Sequence, residues 1–181
     1  MRRTWLMLAI GLAAAASLAG FALAERSSSS TLAPTASWHM YPPVAWSRLT
    51  RRTGLAGVRV VAATAKLDGT PVALLAGRRH GRTCFVPVDG IELGRTVCRL
   101  GAPLTLFPVR DGRYLDLLGV ARHDVASVAQ TTIVDGRPSV MGAALVTVGD
   151  AYVFGGGSLG GKTRIVARDA RARTLERIVL R

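Results

Sequence analysis

Cysteine, histidine and aromatic residues are scarce in this sequence. Of its 181 residues, two are cysteine, three are histidine and 6% are aromatic. Charged residues make up 19% and hydrophobic residues 49%, which excludes an intrinsically disordered chain because such chains combine low hydrophobicity with high charge. The 20 glycines follow no fixed period, which excludes collagen-like and repeat architectures. The length fits one domain of ordinary size.

Acidic residues and lysine are also few. The chain has 24 Lys and Arg against 11 Asp and Glu, a net charge of +13, and its only lysines are Lys66 and Lys162. Such an arginine excess is typical of a GC-rich genome, and it also attracts anions such as nucleic acid, lipid head groups or wall polymers. The densest basic stretch, residues 162–181, contains no aromatic residue that could stack on bases. We therefore expect no nucleic-acid partner, and an anionic cell-surface polymer and a membrane protein stay open as partners.

Residues 1–24 have the composition of an export signal. A basic start is followed by residues 5–21, which carry no charge, and the segment ends on small residues at Ala22 and Ala24. This order is typical of a signal peptide with an A-x-A cleavage site. We expect cleavage between Ala24 and Glu25 and a mature chain outside the cytoplasm.

The same segment is also compatible with an uncleaved anchor. Residues 5–24 are about as many as an apolar helix needs to span a bilayer. The pair Arg2 and Arg3 would stay inside by the positive-inside rule, so either version places the remaining chain outside the cytoplasm, secreted or anchored to the membrane. The arginine pair also loosely matches a twin-arginine export signal.

A change in composition divides the rest of the chain. Residues 25–53 are rich in serine and proline and predict a tether, with a short helical turn at residues 45–51. Residues 54–181 predict a β-rich extracytoplasmic domain. Three aromatic residues near the junction are expected to anchor the tether on that domain by burying aromatic area: Trp38, Tyr41 and Trp46.

Short strand patterns fill the domain. They recur every 8–12 residues and alternate with Asp-Gly turns at residues 68–69, 89–90, 111–112 and 135–136, as is typical of antiparallel β proteins. The predicted strands are residues 57–64, 71–76, 82–88, 96–100, 104–109, 114–120, 124–134, 139–147, 151–154, 163–167 and 175–180. No segment of helical period separates them, which disfavours a βαβ fold. The predicted fold is therefore all-β, an antiparallel sandwich or barrel preceded by an N-terminal hydrophobic helix, with every second strand residue facing inward.

The two cysteines predict a disulfide. Cys84 and Cys98 lie on two predicted strands, and an even pair outside the cytoplasm favours a bond between them. The alternative is a metal site that uses His80 with both cysteines. A structural zinc site needs four ligands, and no fourth is apparent.

A glycine-rich segment matches a nucleotide-binding motif. Residues 156–163, GGSLGGKT, fit the phosphate-loop pattern G-x-x-x-x-G-K-[ST]. Residues 164–168 alternate like a strand, however, whereas the motif requires a helix there. Only 18 residues follow Thr163, too few for the remaining strands of a nucleotide-binding sheet. We interpret the glycines as a flexible hairpin connection and expect no cofactor.

One pair of side chains suggests general-base chemistry. His123 precedes Asp124, but neighbouring strand residues point to opposite faces, and no local nucleophile motif such as G-x-S-x-G accompanies them. We therefore expect no catalytic residues and no metal. A secreted hydrolase with a site near this pair remains the alternative.

The domain also resembles a class of proteins. Residues 57–181 resemble uncharacterised exported or membrane-anchored β-rich proteins of actinobacteria. The resemblance rests on residues 74–77 leading to Cys84 and Cys98, on residues 118–120 followed by 124–128, and on residues 165–170. The resemblance implies no known activity, cofactor or catalytic residue. The sequence thus predicts a non-catalytic extracytoplasmic β domain with a binding or structural role at the cell surface. A third reading, an accessory subunit of a membrane complex, requires residues 5–24 to stay uncleaved.

Overall fold

The computed structural model describes residues 41–112, 114–134, 136–159 and 162–180. The predicted leader and its cleavage site at Ala22, Ala24 and Glu25 lie outside the described residues, as does most of the tether. The elements are α1 (Pro43–Thr53), β1 (Ala56–Ala65), β2 (Pro71–Arg79), β3 (Arg82–Asp89), β4 (Glu92–Leu93), β5 (Leu104–Asp111), β6 (Tyr114–Arg122), β7 (Ser127–Val134), β8 (Arg137–Ala143), β9 (Val146–Val148), β10 (Ala151–Leu159), β11 (Thr163–Arg168) and β12 (Thr174–Leu180). Within this part of the chain, no helix has the length and apolar content to cross a membrane.

The twelve strands form three antiparallel sheets of four strands each. Sheet A has the order β1-β2-β3-β4, sheet B has β5-β6-β10-β9, and sheet C has β12-β11-β7-β8. The all-β antiparallel prediction is confirmed. Of the two architectures that the sequence left open, the described residues adopt open sheets packed face to face and close no barrel.

Sheet B is the middle layer of the stack. Leu118 and Val120 of β6 pack with residues of sheet A, including Leu74, while Leu117 packs with residues of sheet C, including Ile165. Neighbouring residues of β6 are therefore buried on opposite faces. The predicted inward-outward alternation is wrong for this strand, because a sheet that is covered on both sides favours continuous apolar runs.

The outer face of sheet A is covered by α1. Leu49 of the helix packs with Ala73, Leu75 and Val86 of the sheet. The sequence interpretation placed this segment in the tether with only a helical turn, whereas residues 43–53 form a layer of the fold. The helix begins at Pro43, since proline is tolerated in a first turn. It ends at Gly54, whose φ of 62° lies in the left-handed region that favours glycine.

Two of the three junction aromatics anchor this layer, as expected. Tyr41 is buried, Trp46 packs against the same core, and their ring centroids are 6.1 Å apart. Trp38 lies outside the described residues. A hydrogen bond closes the other end of the helix, where Nη2 of Arg79 donates to the carbonyl oxygen of Thr53 at 2.8 Å.

The buried Tyr41 predicts a loss of stability at alkaline pH. Burial raises the pKa of Tyr41 from 10.0 to about 12, with a smaller contribution from Asp89. The unfolded chain loses this proton first, so the free energy of unfolding falls between about pH 10 and about pH 12. We expect Tyr41→Phe to remove this part of the fall, because phenylalanine does not titrate. Urea denaturation of both proteins across that pH range measures it, and an equal fall in both would contradict the assignment.

Three strand predictions differ from the structure. The segment 96–100 forms only one isolated bridge, between Val97 and Phe85, and the segment 139–147 is divided between β8 and β9. The glycine run was interpreted as a flexible connection, which is wrong for residues 155–157, since β10 continues through them beside β6. A Cβ on Gly156 would lie 2.8 Å from Oε1 of the buried Gln130. Glycine is thus required where a side chain of sheet C approaches this strand.

Polar contacts also join the layers. Oγ1 of Thr64 donates to Oδ2 of Asp116 at 2.7 Å, between sheets A and B. The backbone N–H of Leu104 donates to Oε2 of Glu176 at 2.7 Å, between sheets B and C. Each carboxylate accepts from a donor in the next layer and thereby fixes how the sheets lie on each other.

Candidate functional site

A tight hairpin concentrates arginines at one end of sheet A. Arg79 of β2 pairs with Arg82 of β3, and the two residues between them, His80 and Gly81, have φ values of 51° and 75°. Positive φ at both central positions is typical of a type I′ turn, whose twist matches that of the flanking strands. The sequence of residues 77–81 predicts a turn, but β2 continues to Arg79 and the turn itself consists of residues 80 and 81.

The face of sheet A that packs on sheet B becomes polar near this hairpin. Ala76 still belongs to the shared core, but its partner on β1 is Arg59, and Arg78 is paired with Thr83 one step further along. The apolar pattern therefore ends before the strands do. The two sheets leave a seam there that is lined by arginine side chains.

Two cavities occupy this seam. The first has a volume of about 470 Å³ and contains Arg59 and Arg78 in its wall. The second has a volume of about 390 Å³ and contains Arg82, Arg99 and other residues of the neighbouring loops. Thr83 lines both cavities, so they adjoin.

A glycine turn separates the two cavities. Gly149, between β9 and β10, has a φ of 65°, and a Cβ there would collide with the side chain of Thr83. The turn of sheet B thus packs directly on β3. We call the concave surface lined by the four exposed arginines of the two cavities, Arg59, Arg78, Arg82 and Arg99, the arginine cleft. A fifth arginine, Arg122, also lines the second cavity and is half-buried.

The disulfide holds one wall of the cleft. Cys84 and Cys98 are bonded, with Cα atoms 4.0 Å apart, which confirms the predicted pairing. Cys84 is fully buried on β3, next to Thr83, and Cys98 immediately precedes Arg99. The bond therefore fixes the Arg99 loop to the strand that carries Arg82. A disulfide also favours an oxidising compartment.

Loss of the disulfide is expected to lower stability. Removal of a cross-link that closes a loop of this length costs about 3 kcal/mol in the chain-entropy model. We expect Cys84→Ala/Cys98→Ala to lose about that much free energy of unfolding in urea denaturation, relative to the oxidised protein. The reduced and alkylated wild type serves as a control for the substitutions themselves. Coincident denaturation curves for the oxidised and double-alanine proteins would contradict this role.

The arginine cleft lacks acidic partners. None of the three ion pairs among the described residues involves its four arginines, all of which are exposed. Asp150 is the single carboxylate in the walls of the two cavities. The cleft consequently carries an uncompensated positive charge in a concave surface, where field lines concentrate.

The opposite end of the same seam differs in charge. A third cavity of about 400 Å³ lies there, between the start of β2 and β5, and includes the carboxylates of Asp89 and Glu92 in its wall. Asp89 is paired with Lys66 at 2.7 Å. The wall of this third cavity also includes Arg110, so it carries both signs of charge. Within this seam, the excess of positive charge is therefore at the hairpin end.

His123 and Asp124 do not form a base with an orienting carboxylate. Arg122 donates to both oxygens of Asp124, from Nε at 2.8 Å and from Nη2 at 2.5 Å. This contact holds the pKa of Asp124 below its usual value. His123 is exposed and lines the second cavity. The carboxylate is thus bound to Arg122, on the rim of the arginine cleft.

The phosphate-loop match has the wrong structural context, as the sequence indicated. Within the motif, the residues up to Leu159 belong to β10, and β11 begins at Thr163 where the motif requires a helix. Thr163 itself is fully buried, and its Oγ1 lies 3.3 Å from Oγ1 of Thr132. Among the described residues, no group of three metal-ligating side chains comes together.

Sequence reasoning missed the cleft. It treated the arginines of residues 77–81 as a turn and looked for the densest positive charge near the C-terminus. Arg59 and Arg99 are distant from the hairpin in the chain, and only the β1–β2 pairing and the disulfide bring them to it. The position of Arg99 directly after Cys98 was the one available signal. No family model, no curated protein and no solved structure matches this chain.

Proposed function

We propose that this protein is a non-catalytic extracytoplasmic domain that binds a phosphate-bearing polymer of the cell surface in the arginine cleft. The observation that carries the proposal is the set of four exposed arginines around two adjoining cavities, without a carboxylate bound to any of them among the described residues.

The chemistry of arginine favours phosphate as the anion. A guanidinium group is planar, stays charged at every physiological pH, and offers a fork of donors that matches two phosphate oxygens. Two cavities that share Thr83 would take successive anionic groups of one ligand. A polymer with repeated phosphates fits this arrangement better than a single small anion, because linked groups bind with a raised effective concentration.

The predicted export is consistent with such a ligand. The leader at residues 1–24 predicts a chain outside the cytoplasm, either released after Ala24 or held by residues 5–24, and the disulfide supports an oxidising environment. The ligand would then be a polymer outside the membrane.

Binding of long-chain polyphosphate tests the proposal. Exposed ion pairs contribute roughly 0.2–1 kcal/mol each, so we expect Arg59→Gln/Arg78→Gln/Arg99→Gln to weaken binding about tenfold in calorimetric titration. The affinity of the wild type is expected to fall as salt rises, because the ligand's condensed counterions are released on binding.

A variant of equal charge distinguishes the cleft from general attraction. Arg164, Arg168 and Arg177 are exposed on sheet C, far from the seam between sheets A and B. The substitutions Arg164→Gln/Arg168→Gln/Arg177→Gln remove the same charge and should leave polyphosphate affinity within about twofold of the wild type. Equal losses in both triple variants, or no binding by the wild type, would overturn the proposal.

A further inference from the structure

The outer face of sheet C is left open by the layered fold. Both faces of sheet B and both faces of sheet A are covered, whereas no described element lies over the side of sheet C that points away from sheet B. Ile165 and Ala167 of β11 face the core. On the other side of the strand, Arg164 and Arg168 are exposed, and Val166 between them is 8% exposed. This outer face is therefore in contact with solvent.

Apolar side chains and arginines share this face. One row across the four strands consists of Val179, Arg164, Thr131 and Val140, which are successive partners in the sheet. The next row contains Arg177, Val166, Ala129 and Gly142. With strands about 4.8 Å apart, these rows span about 15 Å. The face is therefore broad enough to lie on an extended surface.

The apolar part lies mainly on β7 and β8. Val140 is 67% exposed, and Ile133, which pairs with the exposed Pro138, is 43% exposed. Val179 on the opposite edge is 42% exposed. Large exposed apolar side chains gathered on one face indicate an interaction surface, because scattered single residues are the ordinary case.

The charge on this face has one sign. Its charged residues are Arg164, Arg168 and Arg177, and the nearest described carboxylates are engaged elsewhere. Glu176 accepts the N–H of Leu104 between the sheets, and Asp169 is bound to Arg173. A second copy of the chain is a poor occupant, since a twofold contact would bring arginines against arginines. An anionic surface with an apolar interior complements both the positive charge of this face and its exposed apolar side chains.

We infer that the outer face of sheet C lies on an anionic lipid bilayer, with its arginines at the head groups and Val140 and Ile133 in the interface. Basic residues are attracted to an anionic leaflet, and apolar side chains add burial at the boundary with the acyl chains. The inference is independent of the arginine cleft, which is on the far side of sheet B. The predicted leader, if it stays uncleaved, would hold the domain close to such a surface.

Vesicle binding of the full chain tests the inference. The probes are vesicles of phosphatidylcholine alone and vesicles in which about one third of the lipid is phosphatidylglycerol. We expect stronger co-sedimentation with the anionic vesicles, and slower amide hydrogen exchange in β8 and β12 on those vesicles only. Local protection is informative here because attachment by any other segment would leave these two strands unchanged.

Two triple variants of equal charge provide the comparison. Each arginine near an anionic bilayer contributes about 1 kcal/mol, or about fivefold. Arg164→Gln/Arg168→Gln/Arg177→Gln should therefore lower binding to anionic vesicles at least tenfold, whereas Arg59→Gln/Arg78→Gln/Arg99→Gln should not. Ile133→Thr/Val140→Thr, which keeps the charge and the β-branched shape, should lower it several-fold.

Several results would overturn the inference. These are unchanged vesicle binding by the sheet C variant, equal binding to neutral vesicles, or protection of β8 and β12 through dimerisation in the absence of lipid. The polyphosphate titration reports on the cleft alone, so failure of the proposed function and failure of this inference are separate outcomes.

Discussion

Leu117→Ala and Leu118→Ala are each expected to lower the free energy of unfolding by about 2–5 kcal/mol. The two leucines are neighbours on β6 and are 2% and 3% exposed. Leu117 packs against sheet C and Leu118 against sheet A. Either truncation leaves a cavity between two sheets that cannot fully collapse. In a two-layer sandwich, one of two neighbouring strand residues would face solvent and its truncation would cost little.

Val179→Ala is the matched control for these two truncations. Val179 lies on β12 and is 42% exposed, so its substitution should change the free energy of unfolding by no more than about 0.5 kcal/mol. Urea denaturation with a shared slope measures all three variants. A loss below about 1 kcal/mol for either leucine variant would contradict the burial of sheet B on both faces.

Gly119→Val is expected to destabilise the fold by about 3 kcal/mol or more, at the upper end of the overpacking range. Gly119 pairs with Phe154 across β6 and β10, and the aromatic ring lies over the glycine. A Cβ at this position would lie 2.6 Å from both Cε atoms of Phe154. The ring is 2% exposed in the core between sheets B and C, so it cannot move away without displacing other buried side chains.

A second glycine shows whether the effect depends on the ring. Gly142 lies on the exposed strand β8, and nothing is within 4 Å of the position of an added Cβ, so Gly142→Val should be nearly neutral. In the double variant Gly119→Val/Phe154→Leu, the smaller side chain should recover part of the lost stability, as expected for residues in contact. Additive losses in the double variant would exclude the ring as the cause.

Local structure was largely predictable from the sequence. Asp-Gly pairs in the sequence predict the hairpins, because the turns between strands need positive φ and few other residues tolerate it. The turns at Gly69, Gly90 and Gly112 all have positive φ, and the strands between them follow. The disulfide was predictable as well, because the chain has only two cysteines.

The layering was not predictable by the same means. β7 and β8 follow β6 in the chain but belong to sheet C, while β10 returns to pair with β6. Such assignments depend on contacts between distant segments, which local patterns do not encode. The run of buried residues in β2, Val72 to Ala76, does carry a signal of burial on two faces. It was interpreted as an ordinary alternating strand.

The arginine cleft shows the same limit. The hairpin places Arg78 and Arg82, and its turn could be predicted from residues 77–81. Arg59 joins them through the register of β1 with β2, and Arg99 joins them through Cys98. The density of charge along the sequence is highest among the C-terminal arginines. It does not show which arginines from distant segments the fold brings together.

Nuclear magnetic resonance of the arginine side chains tests the central claim most directly. In a titration with polyphosphate, the Nε–Hε signals of Arg59, Arg78, Arg82 and Arg99 are predicted to shift together and to saturate. The corresponding signals of exposed arginines on sheet C should stay close to their free positions at moderate salt. Equal shifts across both groups, or shifts confined to sheet C, would contradict a binding site between sheets A and B.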